Sequence, residues 1–149
     1  MRLLCLIIGT LLMISASACT RQVRPEPESA EQSAFYKWTS TDVVTAFMEH
    51  GLEAVKTRPG FIVGVHQGSE NTIFLMPSIG KDIGGLVSSF NSEESLQEFK
   101  NYYSDINEET EKPPWRIFRK DNILLMISGK VPLWKSRQYE QVLRGIAKK

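Results

Sequence analysis

Five consecutive apolar residues, Ile123-Leu124-Leu125-Met126-Ile127, decide how the rest of the chain can fold. Side chains alternate between the two faces of a strand, so a strand of this composition is apolar on both faces. Such a strand is stable when it lies at the centre of a sheet and is covered on both sides. We therefore predict a central, doubly covered strand here.

The neighbouring residues predict a β-hairpin and three more strands. Lys120-Asp121-Asn122 has the length and composition of a tight turn, and Trp115–Arg119 before it pairs with the apolar stretch as a hairpin. Pro77 to Gly85 carries three glycines and a proline and is predicted to be a loop. The further strands are predicted at Phe61–Val65, Thr72–Met76 and Leu86–Phe90.

Three segments have the apolar spacing of amphipathic helices. The first begins where Thr39 and Asp42 are spaced as a capping box. The second follows N-cap candidates at residues 91–92 and runs to about Asp105. The third begins with Pro132 in its first turn.

These elements occur in the order α-β-β-β-α-β-β-α. Hairpin-like connections between the strands favour antiparallel pairing. We therefore predict an α+β fold with helices packed on a mainly antiparallel sheet of about five strands. We expect Leu125 in the central strand, and Phe99 and Leu143 on the buried faces of the second and third helices.

The first 18 residues have the three parts of a secretory signal. Arg2 supplies a positive charge, Leu3 to Ile14 is almost wholly apolar, and the small residues Ser15-Ala16-Ser17-Ala18 follow. The 16 residues from Leu3 to Ala18 are fewer than the ~20 that a membrane-spanning helix needs. We therefore predict that this segment is removed.

Ala16-Ser17-Ala18-Cys19 resembles the lipobox of bacterial lipoproteins, although that family usually has Leu where this chain has Ala16. The resemblance implies cleavage before Cys19 and a diacylglyceryl group on the Cys19 thiol. In that family the new amino group of the cysteine is often acylated as well. The resemblance also implies attachment to the cell membrane at the extracytoplasmic face. An ordinary cleaved signal and an uncleaved anchor stay open as alternatives.

The composition of residues 19–34 predicts a flexible tether, and the composition of residues 35–149 predicts a single globular domain. Thr20 to Ala34 has Val23 as its only large apolar residue, so it cannot bury enough surface to offset its ordering entropy. Fifteen flexible residues have an r.m.s. reach of about 20 Å. We therefore expect the domain to stay close to the bilayer.

The globular part resembles small uncharacterised lipoproteins of Bacillus-like Gram-positive bacteria. The matching segments are mostly capping, turn and core residues, and the resemblance implies a shared fold and a cell-surface location without an active site. They are Trp38-Thr39, Ala46-Phe47, Gly51-Leu52-Glu53-Ala54, Pro77-Ser78-Ile79-Gly80, Gly84-Gly85, Lys120-Asp121-Asn122 and Tyr139.

The sequence predicts no catalytic residue, no metal site and no cofactor. His50 and His66 are the chain's two histidines. His50 is placed where it would interact with a helix dipole, and His66 with Glu70 supplies fewer ligands than a metal requires. Lys81 and Asp82 lie at the tip of the Pro77 to Gly85 loop, whose N–H groups offer an anion site, while a plain turn explains the loop as well.

Charge is distributed in opposite blocks although the formal net charge is +1, which argues against a nucleic-acid binder. Residues 91–111 carry seven acids and one base, and residues 112–149 carry ten bases and two acids. Either the blocks compensate each other, through acids such as Glu94 and Glu98, or the basic segment faces an anionic surface. Under the second interpretation Lys135, Arg137 and Arg144 contact that surface.

The chain is therefore expected to be a lipid-anchored lipoprotein that displays a non-catalytic binding or interaction module. Its expected partners are the membrane, through lipid on Cys19, and a protein or other component of the cell envelope. Two alternatives stay open. One is a surface-bound enzyme whose site forms only in the fold, and the other is an envelope exclusion or self-protection lipoprotein.

Overall fold

A computed structural model describes Phe35 and residues 37–56, 68–111 and 114–147. Cys19, the tether and the strand predicted at Phe61–Val65 lie outside these described residues. No helix in the described ranges has the length and apolar character to cross a membrane.

The described elements form an α+β domain, and their order roughly fits the predicted one. Two elements differ from the prediction: the short β1 was not expected, and β3 begins at Gly84, inside the segment predicted to be a loop. The elements are α1 Ser40–Glu49, β1 Val55–Lys56, β2 Glu70–Leu75, β3 Gly84–Ser89, α2 Glu93–Glu108, β4 Trp115–Lys120, β5 Ile123–Ser128 and α3 Leu133–Gly145.

The strands form one antiparallel sheet in the spatial order β1-β2-β3-β5-β4. Four of them have six residues each, and the two-residue β1 extends the sheet beside β2. β5 lies between β3 and β4, and Leu125 is opposite both Val87 and Phe118. Residues 123–127 are buried on both faces, so the predicted central strand is confirmed.

The sheet separates two apolar cores. Ile123, Leu125 and Ile127 point to the face covered by α1 and α3, which we call the two-helix face. Leu124 and Met126 point to the opposite face, where α2 packs, which we call the one-helix face. Helices therefore lie on both sides of the sheet.

Three aromatic rings fill the centre of the two-helix face. Phe47 of α1 lies 5.6 Å from Phe74 and 5.1 Å from Tyr139 of α3, and Phe74 lies 5.5 Å from Tyr139, measured between ring centroids. A Cβ atom on Gly85 would lie 2.6 Å from the Phe74 ring. Glycine at this position of β3 thus lets the Phe74 ring pack against the sheet, which explains why a glycine pair belongs to a strand.

Asn122 fastens the start of the domain to the sheet. It follows Asp121, whose φ of 48° lies in the left-handed region that the tight β4–β5 turn requires. The buried Asn122 Oδ1 accepts hydrogen bonds from the backbone N–H of Trp38 at 3.1 Å and of Lys37 at 3.3 Å, and Nδ2 donates to the Trp38 carbonyl at 2.8 Å. The predicted turn therefore also positions the segment that leads into α1.

The helix starts follow the predicted caps with one exception. Thr39 Oγ1 accepts the N–H of Asp42 at 3.0 Å, and Ser92 Oγ accepts the N–H of Ser95 at 3.2 Å. The prediction was wrong for Pro132, which is the N-cap of α3 rather than part of its first turn, with φ −55° and ψ 143°. α2 continues three residues beyond the predicted end at Asp105.

Candidate functional site

The three cations predicted to contact an anionic surface do not have equivalent surroundings in α3. Arg144 donates to Glu140 Oε1 from Nε at 3.0 Å and from Nη2 at 2.8 Å, and Arg137 binds Glu140 Oε2. Lys135 lies in the first turn of α3, and its Nζ is 5.9 Å from the centre of the Trp134 ring. Two of the three charges are therefore paired within their own helix.

Glu140 is only 7% exposed although it carries a charge. Burial raises the pKa of its carboxyl, but hydrogen bonds from Arg137 and Arg144 outweigh burial and hold the pKa below its usual range. The acidic helix α2 contacts the basic segment elsewhere, through an ion pair between Glu93 and Arg119. Part of the positive charge of residues 112–149 is thus offset within α3 itself. The residue responsible is Glu140, which the sequence analysis did not identify.

The first turn of α3 exposes two large apolar side chains. Leu133 is 55% exposed and Trp134 is 65% exposed, and Lys130 and Lys135 flank them. We call these four residues the α3 tip. The first turn of α3 contains no acidic residue, so nothing on the helix itself offsets the positive end of its dipole.

Glu53 is the acidic group that faces the α3 tip from the loop after α1. Its carboxylate accepts the Ser78 hydroxyl, and its Oε1 accepts the Ser78 N–H at 2.9 Å. These two bonds, helped by the nearby charge of Lys135, lower the pKa of the Glu53 carboxyl. Glu53 therefore stays ionised and offsets part of the charge of Lys135, whereas Lys130 and Lys135 together still give the α3 tip more positive than negative charge.

His50 and the Pro77 to Gly85 segment have structural roles. His50 is the C-cap of α1, where its Nδ1 lies 2.8 Å from the Ala46 carbonyl oxygen. The Met76 carbonyl accepts the N–H groups of Ile79 at 2.9 Å and Gly80 at 3.3 Å, so these amides close a turn rather than face a bound anion. Across the described ranges, no three His, Cys, Asp or Glu side chains are grouped to hold a metal, and His66 lies outside those ranges.

A half-open apolar pocket of about 190 Å³ lies on the one-helix face, beside the end of β3 where Gly84 stands. A Cβ atom on Gly84 would lie 1.9 Å from the Phe74 carbonyl oxygen, so the floor here is bare backbone. The pocket lining contains four side chains with polar groups: Asp82, Ser128, Tyr103 and Trp115. The apolar lining includes Ile73, Leu75, Leu86 and Met126.

Two aromatic residues on different elements complete the pocket. Tyr103 of α2 packs against Phe99 with ring centroids 4.7 Å apart, and burial, then the neighbouring Tyr102, raises the pKa of its hydroxyl. Trp115 begins β4, and its backbone is clasped by Asn107, whose Nδ2 donates to the Trp115 carbonyl at 2.9 Å and whose Oδ1 accepts its N–H at 3.2 Å. The clasp fixes the distance between α2 and β4, and so the width of the pocket.

Sequence reasoning missed this pocket because Tyr103 and Trp115 each fit an ordinary buried helix or strand position. The glycine pair at 84–85 was the available signal, since glycine inside a strand marks a close approach of backbone or ligand. No protein-family model, curated protein or solved structure matches this chain.

Proposed function

We propose that the chain is a membrane-anchored extracytoplasmic lipoprotein, held by lipid on Cys19, whose domain is a non-catalytic interaction module that contacts the anionic bilayer surface. The observation that carries the interaction is the α3 tip. A largely exposed Trp beside an exposed Leu is the composition of side chains that enter the interfacial layer of a membrane. Lys130 and Lys135 supply the attraction to anionic headgroups, which amounts to about 1 kcal/mol for each basic residue near the surface.

The geometry of the domain is compatible with a tether and a contacting tip acting together. Lys37 lies at the β4–β5 turn, where its Nζ contacts Asp121 at 3.1 Å. Lys120 at the same turn donates to the carbonyls of Arg144 and Ile146, at the C-terminal end of α3. The chain therefore enters the domain one helix length from the tip, about 20 Å for 13 residues. The tether predicted from the sequence has 15 residues and an expected r.m.s. reach of about 20 Å, which would span that distance.

Vesicle sedimentation tests the surface contact. A mature chain in which Cys19 is replaced (Cys19→Ser) should bind anionic vesicles at low salt and lose them by roughly 0.5 M salt, where screening is short-ranged. Replacing both Leu133 and Trp134 with Ser should abolish binding, and the pair Lys130→Gln and Lys135→Gln should weaken it about thirtyfold.

The matched control removes the same number of charges from the paired positions. Arg137→Gln with Arg144→Gln should weaken vesicle binding less than the lysine pair does, because these guanidiniums already bind Glu140. Thermal melting of each variant distinguishes unfolding from lost contact. Equal effects of the two pairs, or no binding above a neutral-lipid control, contradict the role of the tip.

Lipid attachment has its own test. Cys19→Ala should abolish incorporation of labelled fatty acid and leave the precursor unprocessed by the lipoprotein-specific peptidase. Normal maturation of Cys19→Ala in the membrane fraction contradicts the lipoprotein proposal, whatever the vesicle experiment gives.

A further inference from the structure

We propose that the pocket on the one-helix face binds a small organic cation, such as a quaternary or alkylated ammonium group. This site is separate from the α3 tip and does not depend on lipid attachment. The proposal follows from four features of the pocket taken together: its size, its apolar floor, its two aromatic residues and the carboxylate at its rim.

The size and lining favour a ligand with a small, compact apolar part. A volume of about 190 Å³ holds a molecule of a few heavy atoms, and Ile73, Leu86 and Met126 offer it methyl and methylene contacts. Because the pocket is half open, one end of the ligand stays in water. A compact apolar group with a polar tail fits these conditions.

The charge at the rim selects the sign of the ligand. Asp82 lines the pocket, and the ion pairs among the described residues do not include it. Its φ of 133° is one that residues other than glycine rarely adopt, and backbone outliers of this kind cluster at ligand sites. An exposed carboxylate beside an apolar cavity attracts a cation and repels an anion.

The aromatic residues favour an alkylated ammonium over a bare amine. Aromatic rings attract cations through their quadrupole, and quaternary ammonium groups are recognised by aromatic side chains in this way. Tyr103 and Trp115 supply two rings from two elements, and the Asn107 clasp holds those elements together. A methylated cation also keeps its apolar contacts with the floor, whereas a primary amine must give up hydrogen bonds to water.

Choline and its uncharged isostere 3,3-dimethylbutan-1-ol form the probe pair, because they differ in charge and hardly in shape. Binding to the mature Cys19→Ser chain is followed by the NMR chemical shifts of the Trp115 indole and the Tyr103 ring. We expect choline to bind about fivefold more tightly than the neutral alcohol, with shifts confined to pocket residues. Equal affinities for the two probes, or no shifts at millimolar choline, overturn the proposal.

Two variants with matched controls locate the site. Asp82→Asn should weaken choline binding about threefold and leave the neutral alcohol unchanged, whereas Asp105→Asn, which removes the same charge from the exposed side of α2, should change neither. Trp115→Leu should weaken choline binding about threefold, and Trp134→Leu at the α3 tip should have no effect. If the controls weaken binding as much as the pocket variants, choline binds elsewhere and the proposal fails.

Discussion

The two faces of the sheet differ in how completely helices cover them. On the two-helix face, α1 and α3 enclose the rings of Phe47, Phe74 and Tyr139, all without solvent exposure. On the one-helix face, α2 covers Leu86, Leu124 and Met126 from one side and leaves the pocket open at the end of β3. The same strands therefore provide a closed core on one side and a surface for a ligand on the other.

The position of the pocket therefore depends on how much of each face the helices cover, and not on the composition of the strands. Residues 123–127 are equally apolar on both faces and are all buried. A single helix is about 10 Å wide with its side chains, whereas adjacent strands are spaced about 4.8 Å apart. One helix thus spans about two strands, and the remaining apolar surface forms the wall of the pocket.

The largest expected difference lies between adjacent residues of β5. Leu125→Ala leaves a cavity inside the closed core and should lower the free energy of unfolding by about 4 kcal/mol. Met126→Ala enlarges a pocket that is already open to water and should cost about 2 kcal/mol. Urea unfolding of the two variants measures both. Equal losses would mean that the two faces are equally closed.

Two asparagine side chains hydrogen-bond backbone groups, one next to each face of the sheet. Asn122 binds the segment that leads into α1, and Asn107 of α2 binds the start of β4. Asn122→Ala removes three hydrogen bonds from a buried site and should cost about 3 kcal/mol, whereas Asn107→Ala removes two from a half-buried site and should cost about 1 kcal/mol. Asn107→Ala should also weaken choline binding, because it frees Trp115. Denaturant melts combined with NMR titration test both effects, and the reverse order of stability would contradict the role given to Asn122.

Alkaline pH should weaken the two-helix face. Burial, then the nearby Glu53 charge, raises the pKa of Tyr139 to about 12, and its hydroxyl donates to the Glu53 carbonyl at 2.6 Å. The unfolded chain releases this proton near pH 10. The stabilisation is therefore complete below about pH 10 and is lost as the pH rises towards 12, about 3 kcal/mol in all. Tyr139→Phe should remove this dependence, and an unchanged alkaline slope in that variant would contradict the assignment.

The smallest expected effect is a loss of folding stability at acid pH, caused by protonation of Glu140 on the outer side of the two-helix face. The pKa of Glu140 is lowered in the folded state, so its ion pairs stabilise the fold above the usual value of 4.5 and are lost as the pH falls below it. Because Arg137 and Arg144 are largely exposed, the effect should be about 1 kcal/mol. Unfolding at pH 6 and pH 3 should show a larger loss in the unaltered chain than in Glu140→Gln. Equal losses would place the acid sensitivity elsewhere.

Much of the fold was predictable because it depends on local signals. The two-sided apolar run at 123–127 identified the central strand, and Thr39, Ser92 and the turn at 120–122 marked where elements begin and end. The loop predicted over 77–85 ended too late, since the reason for Gly84 and Gly85 is the close approach of Phe74 from another strand. Nothing near these glycines in sequence indicates that contact.

The sequence by itself determined the class of fold, the central strand and the expectation of a lipid-anchored N-terminus. Apolar periodicity, helix caps and runs of small residues depend only on residues that are close in sequence, so they can be recognised in the sequence itself. The spacing of Arg137, Glu140 and Arg144 is local as well, because the two ion pairs join residues three and four apart in α3. Only the tertiary structure decided that Glu140 is buried there, and that Tyr103, Trp115 and Asp82 line one pocket. The side chains of the pocket come from separate elements, and their proximity depends on how α2 packs across the strands. The packing of whole elements sets that arrangement, and no local pattern of residues encodes it.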